Sequence, residues 1–283
     1  MNKNLAKIFE QKLAAQAAGG SNSAITFAYE DVCQLVNDPF GDSSPIQLKK
    51  MDALDYQKIP ILRSVKYLAD MIEKAGSLKL TKTGCLQRKV AVEIYELIFR
   101  KDDGEFDIMQ HKVPNEADLP PVVLTRFLLD FAGLTKKRNG RLSLTRKWSK
   151  VKGCDDTLLR LIFEAFVMQV NWAYFDMYMS EQVGQAGFGL SLALISKYGS
   201  DRLGSDIYAK LYYKILPRLL LDFSDSVYCS REDNAYRCYS VRTFPHFLVH
   251  FNLVEIFRDK EDCMKPIEVV RTGLFDKFIS CSL

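Results

Sequence analysis

A short run of strict two-residue alternation, Leu78-Lys79-Leu80-Thr81, closed by Lys82-Thr83-Gly84, limits the possible folds more than composition does. The alternation sets Leu78 and Leu80 on one face and Lys79 and Thr81 on the other, as a half-buried strand requires. The run recurs in degraded form as Leu142-Ser143-Leu144-Thr145-Arg146, and again near Glu268-Val269-Val270-Arg271-Thr272-Gly273. Each copy is short, ends in Thr or Arg, and lies among helical patterns. The chain is therefore expected to be mainly α with small β-hairpins.

Around the first copy the order of elements can be followed. Pro60 is pre-organised to start a helix, and Ile61, Val65, Leu68 and Ile72 form one apolar stripe up to Gly76. After Gly84, the residues Leu86, Val90, Ile94 and Leu97 form a second stripe. Residues 101–119 are acidic and read as a loop. A third helix is expected from Pro120 to Phe131. Leu134–Lys137, the turn Arg138-Asn139-Gly140 and Arg141–Thr145 then read as a hairpin, since Asn-Gly is a strong hairpin signal. Helix, strand, helix, helix, hairpin is the order of a winged-helix module, a helix-turn-helix variant with the hairpin as its wing. The first strand is expected to pair with its echo at Leu142–Thr145.

The flanks complete the domain plan. Residues 1–59 read as N-terminal helices and a linker, the first helix (Leu5, Ile8, Phe9, Leu13) stopping at Gly19-Gly20 and lacking the features of a signal peptide. Residues 60–152 form the winged-helix module. Residues 153–283 form a helical, divergent winged-helix-like second half. There, Asp155-Asp156-Thr157 are expected to cap a helix reaching about Val183. Further helices are expected near Leu190–Tyr198, Asp206–Asp222 and Phe244–Phe251. Strands at Leu253–Phe257 and Ile267–Arg271 repeat the wing of the first half, so a tandem repeat is expected.

The string Ile61-Leu62-Arg63-Ser64-Val65-Lys66-Tyr67-Leu68, followed by Ala75-Gly76 and by Leu78-Lys79-Leu80-Thr81-Lys82-Thr83-Gly84-Cys85-Leu86, resembles a module of uncharacterised bacterial proteins. Some of these carry it beside pRiA4b ORF-3-like or SEC-C domains. The resemblance covers Pro60 to Lys150. It implies a bacterial origin and a helix–strand–helix–wing unit, and it brings no catalytic residues. The cysteines do not form the Cys-rich tail of an SEC-C motif, so no metal is carried over.

Apolar residues make up 48% of the 283, which is the content of a folded protein. Charge is uneven: residues 1–150 hold 24 Lys+Arg against 18 Asp+Glu, and residues 151–283 hold 15 against 17. Only the front half is suited to a polyanion. Seven widely spaced cysteines without a C-x-x-C pair read as reduced thiols in a cytoplasmic protein. The apolar stretch Leu158–Met179 contains Arg160, Glu164 and Asp176, which are too costly for a membrane span.

No residue constellation names a reaction, so the chain is expected to be non-catalytic, with no cofactor and no metal. His246 and His250 have i, i+4 spacing but neither the intervening Glu of a metalloprotease helix nor an evident third ligand. Asp102–Asp107 lacks calcium-loop alternation, and Gly184, Gly187 and Gly189 do not follow a strand. Glu164, Asn171, Trp172 and Asp176 are more simply explained by satisfied polar groups than by a ligand pocket.

The run from Phe131 to Cys154 has no acid, and Lys136, Lys137, Arg138, Arg141, Arg146, Lys147 and Lys150 are its candidate nucleic-acid contacts. Such cations neutralise phosphates and release counterions. The expected partner is a DNA or RNA backbone, in a possible regulatory role. A protein-interaction scaffold, with a protein partner on the second half, is the alternative. Pro120–Phe131 is too apolar to lie exposed in a groove, which argues against base reading.

Overall fold

The computed structural model describes residues 27–100, 114–262 and 264–283. The helix expected within residues 1–20 and the 101–113 part of the acidic loop lie outside the described residues. The described chain is mainly helical with small antiparallel sheets. It opens with α1 (Tyr29–Asn37), β1 (Ile46–Leu48) and α2 (Ala53–Tyr56). Helix α3 (Pro60–Ala75) starts on its proline, leads to β2 (Leu78–Lys79), and is followed by α4 (Arg88–Ile94) and a π-turn at Tyr95–Phe99. Then come α5 (Pro120–Phe131), β3 (Thr135–Arg138), β4 (Arg141–Leu144), α6 (Arg146–Val151) and α7 (Asp155–Met168). Apart from 3-10 turns at Glu116–Asp118, Trp172–Phe175 and Pro217–Asp222, the remaining elements are α8 (Phe188–Tyr198), β5 (Leu203–Gly204), α9 (Ser205–Ile215), α10 (Arg231–Thr243) with a π-turn at Phe244–Leu248, β6 (Val254–Phe257), β7 (Glu268–Arg271), α11 (Gly273–Phe278) and β8 (Ile279–Cys281).

These elements form two units. One comprises Lys50–Asn171 together with the three residues His250–Asn252. In it, α3 packs on α5, and the buried hydroxyls of Ser64 and Thr125 meet at 2.7 Å. The sheet order is β2-β4-β3, with Leu78 opposite Leu142 and Lys79 opposite Arg141. Asn139 and Gly140 both have positive φ, +50° and +68°, which the two-residue turn needs to match the twist of the strands. Phe251 lies between Phe163 and Phe166, at centroid distances of 4.9 and 5.7 Å. The His250 carbonyl accepts the Ile61 N–H, a donor that the first turn of α3 otherwise leaves unpaired, and the Asn252 amide donates to the Lys58 carbonyl.

The other unit comprises the described residues up to Lys49, Trp172–Val249 and Leu253–Leu283. Strand β1 pairs with β8 near the end of the chain. A second three-stranded sheet has the order β5-β7-β6, with Leu203 opposite Val269 and Gly204 opposite Glu268. The correspondence with the first sheet extends to the backbone. Thr145 N–H bonds the Leu134 carbonyl as Thr272 N–H bonds that of Leu253, and Leu134 N–H bonds Leu129 as Leu253 N–H bonds Leu248. Thr145 and Thr272 each accept a backbone N–H and open a six-residue helix. The core is aromatic, built from Tyr208, Tyr212, Tyr213, Tyr239 and Phe244. Arg242 is fully buried and bidentate on Asp176 at 2.6 and 2.8 Å.

Several expectations need correction. The helix from Asp155 ends at Met168 and not near Val183, and its N-cap is Cys154, with Asp155 and Asp156 in its first turn. Beyond it, Trp172 turns onto Phe247 (4.9 Å) and Asp176 onto Arg242, and these tertiary contacts override a sequence that could continue helically. The helix expected over Phe244–Phe251 is a π-turn over Phe244–Leu248 that ends α10, a helix starting at Arg231 that the sequence reading did not place. Leu97, placed on an apolar stripe, is exposed, because the π-turn inserts an extra residue and rotates it outward.

Candidate nucleic-acid interface

The hairpin sets its side chains by register. Thr135 and Lys137 share a face with Leu142 and Leu78, and the opposite face carries Lys136, Arg138, Arg141 and Ser143. Lys79 joins that outer face from β2. Lys79 lies directly opposite Arg141, and Arg141 directly opposite Arg138, so three cations form a row across three strands. All three are exposed. Like charges directly opposite one another destabilise a sheet, and the three strands contain no acid to offset them.

The other sequence candidates have separate settings. Lys137 folds back over the 81–84 turn, its ammonium in the space that a Cβ on Gly84 would occupy. Arg141 is oriented by Ser77, donating to its hydroxyl at 2.8 Å and its carbonyl at 3.2 Å. Arg146, Lys147 and Lys150 belong to helix α6 and not to the wing. Thr145 fixes the start of that helix, accepting the Lys147 N–H and donating to the Gly133 carbonyl at 2.7 Å. None of the seven candidates forms an ion pair with a described residue. Lys152, the last cation of the run, does: it meets Glu73 at 2.7 Å and holds that carboxyl below the usual range.

Beside the sheet, an open cleft of about 330 Å³ lies among Glu73, Gly76, Leu144, Arg146 and Trp148. Trp148 is 2% exposed, so it packs and offers no stacking surface. Helix α5 buries Val122, Val123, Leu124, Thr125, Leu128 and Leu129. Its Arg126 is held by the buried Glu116 at 2.5 Å, and Glu116 also accepts the Leu86 N–H. That helix therefore presents few side chains to a ligand.

Sequence reasoning missed Lys79, although its signal was present in the Leu-Lys-Leu alternation that points it outward. The register supplies the missing step, because Lys79 and Arg141 are far apart in sequence. The two histidines do not share a helix face: His246 lies in the π-turn, His250 in the turn beyond it, and they fall in different units. Glu164 is exposed, and Asp176 is committed to Arg242. The 184–189 loop is pinned by Tyr212, which accepts the Gly184 N–H and donates to Ala186, and by Arg242 on the Val183 carbonyl. Among the described residues, no three His, Cys, Asp or Glu side chains stand together as metal ligands, and no helix is long and apolar enough to cross a membrane. The six described cysteines are free thiols, and Cys263 lies outside the described residues.

The unit that bears this surface is a small helix–sheet module whose cationic face is paired by no carboxylate among the described residues. Residues 57–154 match the family model of the Y4jL N-terminal domain, a span that includes every candidate residue. Searches of curated proteins and of solved structures each gave no match.

Proposed function

We propose that the chain is a non-catalytic, nucleic-acid-associated binding protein, with regulation as a candidate role, and that residues 60–152 act as a winged-helix module contacting phosphates through its hairpin. The observation that carries this reading is the set of exposed cations on β3, β4 and α6 that no described carboxylate neutralises. The helix–strand–helix–helix–hairpin order and the β2-β4-β3 sheet support the winged-helix assignment. The matching register and caps of the second sheet support a second, divergent copy and thus a tandem arrangement. Burial of α5 favours phosphate binding over base reading.

The test is nucleic-acid affinity against salt concentration. Replacing Lys136, Lys137, Arg138 and Arg141 together with Gln should flatten the slope of log affinity against log salt by about 0.9 for each phosphate that is no longer neutralised. An unchanged slope would remove the wing from the interface.

A second reading, a protein-interaction scaffold, is favoured by one observation. Met177 and Tyr228 are 99% and 98% exposed, and Met179 and Leu221 are also exposed on segments joined by the Ser180–Asp222 hydrogen bond of 2.6 Å. Exposed apolar groups of this kind mark interaction sites. Capture of a defined partner that is lost on replacing Met177 and Tyr228 with Ser would support that reading.

A further inference from the structure

We infer that the nucleic-acid surface is the whole outer face of the first sheet, with Lys79 as its cation on the edge strand β2, and that it takes duplex nucleic acid by its phosphodiester backbone without reading sequence. This rests on the phosphate-binding reading above and specifies its ligand. Three observations carry it.

The first is the row itself. Lys79, Arg141 and Arg138 are directly paired across β2, β4 and β3, with Lys136 on the same face. Adjacent strands lie about 4.8 Å apart, so Lys79 and Arg138 are held against Arg141, which is itself tied to Ser77, at a repulsive cost to the sheet. The second is an internal comparison. The same register positions of the second sheet hold Gly204, Glu268 and Phe257. There Glu268 is neutralised by Arg202 at 2.6 Å, and the Arg202 guanidinium covers Phe257 at 4.1 Å. A sheet of this geometry therefore forms without cations at those positions, and their presence in the first sheet calls for a ligand. The third is what the face lacks. The three strands contain no aromatic residue, and Trp148 is buried, so among the described residues this face offers unpaired bases no aromatic ring to stack on. Electrostatics alone then selects the polyanion with the densest charge, which is a duplex.

The experiment is fluorescence anisotropy between about 50 and 200 mM salt, the range over which phosphate-dependent binding changes steeply. The probes are labelled DNA and RNA duplexes of two unrelated sequences and the corresponding single strands. The proteins are the full chain, Lys79→Gln, Arg138→Gln, and Lys260→Gln as a control on an exposed lysine of the other unit. Equal affinity for the two sequences, weaker binding of single strands, and a salt slope reduced by about 0.9 in Lys79→Gln but not in Lys260→Gln are expected. Thermal stability of Lys79→Gln should be equal or higher, since a repulsion is removed; a merely structural lysine would lower it. Wild-type affinity in Lys79→Gln together with a loss in Arg138→Gln would overturn the sheet-face assignment and leave the hairpin reading standing. Tighter binding of single strands would overturn the duplex assignment. No binding of any probe by the full chain would overturn both this inference and the reading beneath it.

Discussion

His246 shows how one side chain links burial to pH. Its imidazole sits in the π-turn beside Phe175, and Nδ1 has no hydrogen-bond partner among the described residues. Burial pushes its pKa down; Asp176 opposes this, while Arg242 and Arg258 add to it. The unfolded chain, with a histidine pKa near 6.5, therefore binds the proton first as pH falls. The resulting stability is present above about pH 6.5 and is lost as pH drops toward the lower folded value. Urea midpoints measured from pH 8 to pH 5 should fall for the wild type, and His246→Gln should show a shallower fall below about pH 6.5. The thiols behave oppositely to each other. The Thr157 hydroxyl and N–H lower the pKa of exposed Cys154, whereas burial pushes Cys238 up to about 12. Iodoacetamide at neutral pH should modify Cys154 well before Cys238, and Cys154→Ser should abolish that early reaction.

At the scale of elements, Thr145 joins the sheet to the helix that carries Arg146, Lys147 and Lys150. Thr145→Ala removes both an N-cap acceptor and a bond to Gly133, and should cost about 1–2 kcal/mol in chemical denaturation. Duplex affinity should fall with it if the α6 cations contribute. Elements with strong local chemistry were legible in the sequence. Pro60, Pro120 and the Asn139-Gly140 turn fix where α3, α5 and the hairpin begin or reverse. Helix α10 was not legible, because Arg231–Thr243 is mostly polar and buries its face through Ala235, Cys238, Tyr239 and Arg242. The end of α7 was hidden for the opposite reason: its sequence stays apolar while distant aromatic and ionic contacts redirect the chain. In the candidate site the cations of one hairpin could be seen together. Their division into two faces, and the addition of Lys79, depended on a pairing register that no single segment encodes.

At the scale of the whole molecule, the unit bearing the cationic sheet is discontinuous in sequence, since it is completed by His250–Asn252. Phe251 is fully buried, so Phe251→Ala should destabilise that unit by about 3–5 kcal/mol, read by hydrogen exchange in α3 and α7. A fragment ending at Asn171 should show a loss of similar size.

The same three residues set a timetable for synthesis. Domains commonly fold as they leave the ribosome, N-terminal parts first. Here the sheet, its hairpin and its helices all emerge before the piece that fills the slot between Phe163 and Phe166 and satisfies the start of α3. The cationic unit therefore reaches its final packing only after residue 252 has been translated, and a message cut short between codons 172 and 249 yields a protein that carries every candidate cation on an unfinished support.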